Sequence, residues 1–525
     1  MIKLTFVLSI GVLIISVVDV VKLKSSKLDG TEGGIKILEK CSKTEEINLN
    51  VVEDMCLPEE QPPHPHDHQQ RQRQEETSEF KIKKNFQSEH GVMEKEREIC
   101  HVGNNVENIE STNEIFNSGS STSTTTISGH EFTETRKSEE IKKNLNWMRW
   151  TEYSPYAKDI IKNNKWESIQ DELITVVSYN VLSQSLLEKH RYLYKRNDEK
   201  SLKWEVRSKL LIEEIKEFDA DILCLQEIDS SLVNSFYNYN LNLLGYQGIY
   251  KQRTNEKVDG CAIYYKRDKF NLVKYMTVEL FKRSVHLLDR DNIGIILKLT
   301  MKSNPKSEFV VATTHLLYNP KRGDIKLAQT QLMLAEIEKM AYAKHNALAR
   351  QPEYLPIIFT GDMNYSPENG VYQLVTKSYL EYEGMSSEKI LPSLRGHILN
   401  KTLLPPRIGI TDSCQYVENA GEVSFSTGAL DHHLNLESVY EHVKGNLPEA
   451  TTNQNHWVTV DYIFYSQLWN DNLKLKSEGN LKLISRLTLP NSREAEVYLR
   501  YLPNLACASD HLPLRATFQL TSGNR

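Results

Sequence analysis

Cysteine is scarce in this chain and follows no pattern. The 525 residues contain seven, an odd number, scattered along the chain, and Cys224 and Cys261 sit inside apolar, strand-like runs. A disulfide framework is excluded on that usage, which suits a reducing compartment. An excess of positive charge is also missing. The formal net charge is -6 and the isoelectric point is about 6.3, which excludes a globally basic nucleic-acid binder and leaves room only for a local basic rim. Candidates for such a rim are Lys251, Arg253, Lys257, Lys282, Arg283, Lys321 and Arg322. A leucine-rich periodicity of about 20–29 residues is absent before Leu145, so no leading repeat domain is expected.

One apolar run raises a membrane question. Leu4 to Val18 is apolar apart from Thr5, Ser9, Gly11 and Ser16, with Lys3 before it and Lys22, Lys24 and Lys27 after it. A run of about fifteen to eighteen residues lies between a signal peptide and a short membrane span. No small-x-small cleavage pattern follows, since Val17, Val18, Asp19 and Val20 are poor candidates. The lysines are denser on the carboxyl side, which favours a following chain in the cytoplasm. Residues 1–22 are therefore read as a signal-like or membrane-anchor segment. A cytoplasmic location, free or anchored to an internal membrane through residues 4–18, is preferred over secretion.

Residues 23–144 are poor material for a core. They include Gln61-Pro62-Pro63-His64-Pro65-His66-Asp67-His68 and the run Ser118-Gly119-Ser120-Ser121-Thr122-Ser123. Such polar tracts bury too little apolar surface to offset chain entropy, so a disordered low-complexity region is expected, with His64, His66 and His68 as part of it rather than a metal site.

From about Leu145 the pattern changes. Leu202, Val206, Leu210, Leu211 and Ile215 have helical spacing, as do Ile325, Leu327, Leu332, Leu334, Ile337 and Met340. Between them fall strand-like runs near 173–180, 221–227, 259–266, 293–300, 308–315, 355–362, 458–465 and 512–520. That alternation predicts two mixed sheets packed face to face with helices outside. From about Ser387 to His456 the patterning is weaker, and a long, partly mobile insertion near the substrate mouth is expected.

The strand ends carry the chemistry. In Thr360-Gly361-Asp362-Met363-Asn364 a carboxylate and an amide stand two residues apart at the end of an apolar run. Positions i and i+2 of a strand share a face. Other runs end in Asn180, Glu227 and His315, Asp461 interrupts an apolar run, and Asp510-His511 precedes the last one. Each residue alone reads as an ordinary cap or turn former; six such endings together read as one site. Oxygen donors without paired cysteines select a hard divalent cation, Mg²⁺ or Mn²⁺, over zinc.

The order and wording of these segments resemble the endonuclease/exonuclease/phosphatase family of metal-dependent phosphoesterases, in the branch of the carbon-catabolite-repressor deadenylases, nocturnin and the Angel proteins. The Angel wording is closest, in S-Y-N-V-L-S-Q-S-L-L-E (Ser178 to Glu188), F-D-A-D-I-L-C-L-Q-E (Phe218 to Glu227), V-D-G-C-A-I (Val258 to Ile263), L-L-D-R-D-N-I-G (Leu287 to Gly294) and T-H-L-L-Y-N-P-K-R-G-D-I-K-L-A-Q (Thr314 to Gln329). It spans roughly residues 145–520. The resemblance implies a four-layer α/β sandwich preceded by a long disordered region, and catalysis by Mg²⁺, with Mn²⁺ as substitute. It implies Glu227 as principal metal ligand, with Asn180 beside it on the metal site. Asp362 would be the base for the attacking water, and Asn364 would fix that carboxylate or the transition state. His511 would donate to the scissile phosphate with Asp461 holding its ring, His315 would act from the other side, and Asn292 would be a further phosphate contact. Asp510 fits either a turn cap or the metal side.

The implied partner is the 3′ end of RNA, either poly(A) or an end carrying a 2′,3′-cyclic phosphate, and the implied reaction is hydrolysis of that diester or 3′–5′ exonucleolytic deadenylation, with the cyclic phosphate slightly favoured. Two other readings stand beside it: a phosphatase of lipids or small phosphates, and a non-catalytic protein that binds RNA or a translation factor.

Overall fold

The computed structural model describes residues 139–146, 149–346, 351–393, 395–417, 423–470 and 475–521. The expectations for residues 1–22, and for 23–138, lie outside the described residues. Residues 139–146 are helical. Ile141 and Leu145 pack there against a small cluster that includes Trp457, Leu499 and Leu512, so packed structure is present on the amino side of Leu145. Among the described residues no helix is long and apolar enough to cross a membrane.

In chain order the sheet strands are β1 (Thr151–Tyr153), β2 (Leu173–Asn180), β3 (Ile222–Asp229), β4 (Tyr246–Gln252), β5 (Asp259–Lys266), β6 (Phe270–Glu279) and β7 (Ile293–Met301). They continue with β8 (Asn304–His315), β9 (Ile357–Asp362), β10 (Leu436–Ser438), β11 (Asp461–Asn470), β12 (Leu475–Glu478), β13 (Leu481–Leu487) and β14 (Leu514–Leu520). They form two seven-stranded sheets. The first has the order β1-β13-β14-β2-β3-β5-β4; the second runs β10-β11-β9-β8-β7-β6, with β12 on β11. Both sheets are mixed. β2 and β3 pair parallel, as do β8 and β9, and the remaining pairs are antiparallel.

A parallel pair needs a crossover, which is usually a helix. Here α1 (Trp204–Phe218) lies between β2 and β3, and α2 (Gly323–Ala341) lies between β8 and β9. The helical periodicities around Leu211 and Ile337 are thus accounted for by the two crossovers. Strand alternation then sorts side chains into layers. Ile174, Val176, Ile222 and Cys224 of the first sheet meet Ile293, Ile295, Leu297 and Val311 of the second in one core. The opposite faces, Val177, Tyr179, Leu223 and Leu225, pack on Leu211 and Ile215 of α1. Ile296, Val310, Ala312 and Phe359 pack on α2 through Leu327, Ala328 and Leu334. Four layers result, helix, sheet, sheet, helix, as the alternation of patterns implied.

Among its described residues, the segment from Ser387 to His456 has short ribbons, isolated bridges, one helical turn at Pro406–Ile408 and the edge strand β10, and it is packed. Leu399, Leu403, Leu404, Ile410 and Cys414 are buried in the core on the α2 side. Its apolar residues serve an irregular backbone, so neither a period of two nor one of 3.6 is visible in them. The four described cysteines, Cys224, Cys261, Cys414 and Cys507, are buried and free.

Candidate active site

Parallel pairing brings the polar strand ends together. Asn180 at the end of β2 pairs with Gln226 of β3, so Glu227 follows beside it. In the second sheet His315 at the end of β8 pairs with Asp362 at the end of β9. β11 runs antiparallel to β9 and begins at Asp461, which pairs with Asp362. Asp461 is therefore a strand's first residue, and not an interruption within it. β14 runs antiparallel to β2 with Leu514 opposite Ser178, which places His511 just beyond the end of β2. Asp259 opens β5 opposite Asp229 at the end of β3.

Two backbone irregularities complete the placement. Plain alternation would send Glu227 to the α1 side with Leu223 and Leu225. The register between β3 and β5 shifts between Leu225 and Ile228, and Glu227 has φ +58°. This bulge turns its carboxylate to the side of Asn180, a re-aiming for which bulges near sites are used. Gly361, with φ +150°, passes so close to β8 that a Cβ on it would lie 2.1 Å from the Thr314 carbonyl oxygen. Only glycine lets β9 deliver Asp362 at this position.

The carboxylates are bridged and charged by specific partners. Asn180 Nδ2 donates to Glu227 Oε1 at 3.1 Å and to Asp362 Oδ2 at 3.0 Å, while Asn180 Oδ1 accepts from Leu182 N at 3.1 Å. Ser183 N donates to Glu227 Oε2 at 3.2 Å. Asp362 Oδ1 accepts from the backbone N of Asn364 at 3.0 Å. His315 Nε2 and His511 Nε2 lie 3.5 Å and 3.8 Å from Asp362 Oδ2. His511 Nδ1 meets Asp461 Oδ2 at 2.9 Å.

Protonation follows from burial and charge. Burial, with Asp510 and Asp259 adding repulsion, pushes Glu227 up to about 7. Asp362 is raised by burial against the pull of His315. Burial opposes charging His511, but Asp461 and Asp362 outweigh it and hold the ring well above the usual histidine range. His315 is lowered by burial. The site thus contains one imidazolium, one imidazole that tends to neutrality, and carboxylates that lack enough counter-charge.

That deficit fits a cation. Ligand atoms of Asp362, Asp461 and His511 lie within 4.8 Å of one another, yet His511 is hydrogen-bonded to Asp461 and better suited to hold a proton than a metal. The carboxylates of Asp510 and Asp259 repel that of Glu227, and Asp259 Oδ2 is buried without a hydrogen-bond partner. Oxygen donors of this kind match Mg²⁺ or Mn²⁺.

The remaining expected residues have definite places. Asn292 Nδ2 donates to the His315 carbonyl at 3.0 Å and its Oδ1 accepts from Gln329 Nε2 at 2.9 Å, leaving one amide hydrogen for other use. Asn364 reaches Asp362 through its backbone N; its side chain donates to the Leu316 carbonyl at 3.1 Å. Asp510 Oδ2 accepts from Tyr194 OH at 2.8 Å. Of the rim candidates, Lys251, Arg253, Lys257 and Arg322 pair with Glu279, Asp259, Asp291 and Asp324 respectively.

Some contributing residues carry only a faint sequence signal. Arg207, fully buried on α1, donates to the carbonyls of Ala508 (2.7 Å), Val181 (2.8 Å) and Leu182 (2.7 Å) and so ties the loop after β2 to the loop before β14. Lys326 on α2 donates to the Asn364 carbonyl at 2.6 Å, and burial lowers it to about 8. Asp259 lies in the segment Val258 to Ile263, but its proximity to Glu227 depends on strand pairing. A polar residue inside an otherwise amphipathic helix was the one hint available for Arg207.

Comparison with known proteins agrees with this geometry. The Endonuclease/Exonuclease/phosphatase family model matches residues 177–511. Protein angel homolog 2 of Bos taurus is 38% identical over 402 residues, covering 70% of this chain and 71% of the relative. Protein angel homolog 1 of Homo sapiens is 32% identical over 455 residues, covering 71% and 66%. The crystal structure of ANGEL2, a 2′,3′-cyclic phosphatase, in complex with adenosine-2′,3′-vanadate superposes with a TM-score of 0.61 at 38% identity, covering 71% of this chain and 99% of that one.

Proposed function

The chain belongs to the endonuclease/exonuclease/phosphatase family, alongside the Angel proteins, and on that premise we propose that it hydrolyses 2′,3′-cyclic phosphate at RNA 3′ ends with the help of Mg²⁺. The observation that carries the reading is the convergence of Glu227, Asn180, Asp362 and His511 from both sheets, together with 38% identity to a protein described as a 2′,3′-cyclic phosphatase.

Glu227, with Asp259 and Asp510 alongside, would hold the cation, which when bound neutralises charge on the phosphate. The chain's own groups do the rest. Asp362, raised by burial, takes the proton of the attacking water, the role suited to a carboxylate pushed toward neutrality. Its Oδ1 is held by Asn364 N and its Oδ2 by Asn180 Nδ2, so the base is fixed before substrate arrives. The water oxygen bonds to phosphorus and one ribose P–O bond breaks, leaving a phosphomonoester. His511, kept protonated by Asp461, donates from Nε2 to the phosphate or to the departing ribose oxygen. Asn180 keeps its amide nitrogen between the two carboxylates, a donor beside the base and the cation-holding carboxylate. His315, whose backbone carbonyl accepts from Asn292, turns its ring toward Asp362 from the other side.

The test offers the purified full chain adenosine 2′,3′-cyclic phosphate, RNA ending in that group, and poly(A) RNA with a free 3′ hydroxyl, each with Mg²⁺ or with chelator. Metal-dependent loss of the cyclic diester is expected. Shortening of poly(A) with the cyclic phosphate untouched would assign the same residues to deadenylation.

A further inference from the structure

Between Lys189 and Lys203 the chain reads K-H-R-Y-L-Y-K-R-N-D-E-K-S-L-K, six basic residues against two carboxylates, with aromatic side chains interleaved, in a chain of net charge -6. This segment is fastened to the rim of the catalytic site. Tyr194 OH donates to Asp510 Oδ2 at 2.8 Å, next to His511. Asn197 Nδ2 and Ser201 Oγ both donate to the Pro503 carbonyl, at 2.8 Å and 3.2 Å. The Arg196 guanidinium lies over the ring of Tyr501, 5.9 Å from its centroid.

Around these anchors, two tyrosine rings and a leucine are left in solvent. Tyr192 is 61% exposed, Leu193 65% and Tyr501 41%, and Lys195 and Arg196 are exposed beside them. Burying Tyr194 while leaving Tyr192 outside has no packing benefit, because Tyr192 contacts only the ring of His190 among the aromatic neighbours. Exposed rings set among cations are the composition of a single-strand nucleic-acid platform: each ring stacks on a base of any sequence, and each cation meets a backbone phosphate. The reach is short. Two residues to either side of Tyr194 span at most about 7 Å of chain, so Tyr192 and Arg196 are close to a strand whose end occupies the site.

We propose that Tyr192, Arg196 and Tyr501 form a stacking platform that seats the single-stranded nucleotides upstream of the reacting 3′ end. The platform rests on reading the site as an RNA 3′-end phosphoesterase and gives that site its preference for a polymer over a mononucleotide. Charge complementarity favours RNA: with Arg191 paired to Glu188 and Glu199, Lys195 and Arg196 still leave the segment locally basic in an otherwise acidic chain. Stacking should be tolerant of sequence, and the charge contribution should weaken with salt.

The experiment compares wild type with Tyr192→Ala/Tyr501→Ala and with Arg196→Ala on two substrates that share a reacting group. One is adenosine 2′,3′-cyclic phosphate; the other is a single-stranded RNA of about ten nucleotides with the same end. The ratio of kcat/KM for RNA to kcat/KM for the mononucleotide should fall about tenfold in the tyrosine pair. Arg196→Ala should flatten the salt dependence of the RNA reaction. A ratio within about twofold of wild type, or equal losses on both substrates, overturns the proposal, since equal losses mean the residues act through Asp510. Should wild type hydrolyse neither substrate, the activity reading fails and binding decides the platform separately. Fluorescence anisotropy with a labelled RNA bearing a 3′ hydroxyl should give about tenfold weaker binding in the tyrosine pair. Equal or absent RNA binding overturns it and leaves this surface to a protein partner. Tyr192→Leu, which keeps an apolar side chain but no ring, separates stacking from general stickiness and should behave like the alanine variant.

Discussion

Asn180 and Asp362, 182 residues apart in sequence, meet at 3.0 Å through the amide nitrogen of one and a carboxylate oxygen of the other. One residue ends a strand of the first sheet, the other a strand of the second. The contact joins the sheets at the site and spaces Asp362 from Glu227, the second acceptor of the same nitrogen. Asn180→Ala should lower kcat on adenosine 2′,3′-cyclic phosphate by about two orders of magnitude or more, the scale for loss of one positioned donor. Steady-state kinetics, with circular dichroism to verify folding, checks this.

His511 owes its proton to Asp461. As pH rises through the histidine's elevated pKa, the proton leaves and the donor is lost, so activity should fall on the alkaline side. Asp461→Asn removes the charge that raises it, and the alkaline limb should move to lower pH. His511→Ala should remove the limb and cost about two to four orders of magnitude in kcat. A pH–rate profile of the three proteins distinguishes these outcomes.

Glu227 links stability to pH and to metal. Its carboxyl is raised from 4.5 to about 7. A group whose folded-state pKa is raised contributes stability that is fully present below the lower value and lost as pH climbs through the upper one. Metal-free protein should therefore lose thermal stability between about pH 4.5 and pH 7 from this group. Mg²⁺ binds the deprotonated form, so its stabilising effect should grow across the same interval. Melting curves at pH 5 and pH 8, with and without Mg²⁺, test the sign, and Glu227→Gln should reduce the pH slope, leaving the part due to Glu214 and Glu449, and weaken the metal effect.

Much of this was legible in the residues, for reasons that differ between elements. The helical spacing of Leu211 with Ile215 marks α1, which buries one stripe, and that of Leu334 with Ile337 marks α2, although α2 is buried on nearly all sides and its polar residues hide that burial. The Asn180, His315 and Asp362 strand ends were visible because buried apolar runs stop abruptly at polar residues. β4, β6 and β13 carry no clean alternation: β4 and β6 mix exposed and half-buried positions, and β13 mixes buried and half-buried ones without a period of two. The orientation of Glu227 was hidden as well, since it depends on a bulge rather than on strand period. Arg207 and Asp259 join the site only through tertiary contacts, Arg207 by tying two distant loops together and Asp259 by the pairing of β5 with β3.

Gly361 supplies a stability test away from titration. Its φ of +150° and the 2.1 Å approach of a hypothetical Cβ to the Thr314 carbonyl leave no room for a side chain against rigid backbone. Gly361→Ala should destabilise the fold by more than about 3 kcal/mol, read as a lowered midpoint in urea. Gly384, which has φ +77° but nothing within 4 Å of a Cβ, should tolerate alanine at a cost of about 1 kcal/mol.

The most direct test follows the cyclic diester itself. Phosphorus NMR of adenosine 2′,3′-cyclic phosphate incubated with the full chain should show the diester resonance disappear with Mg²⁺, persist with chelator, and persist with Asp362→Ala or Glu227→Ala protein that remains folded. A diester left intact by the wild type with Mg²⁺, or consumed equally by Asp362→Ala, would contradict the account.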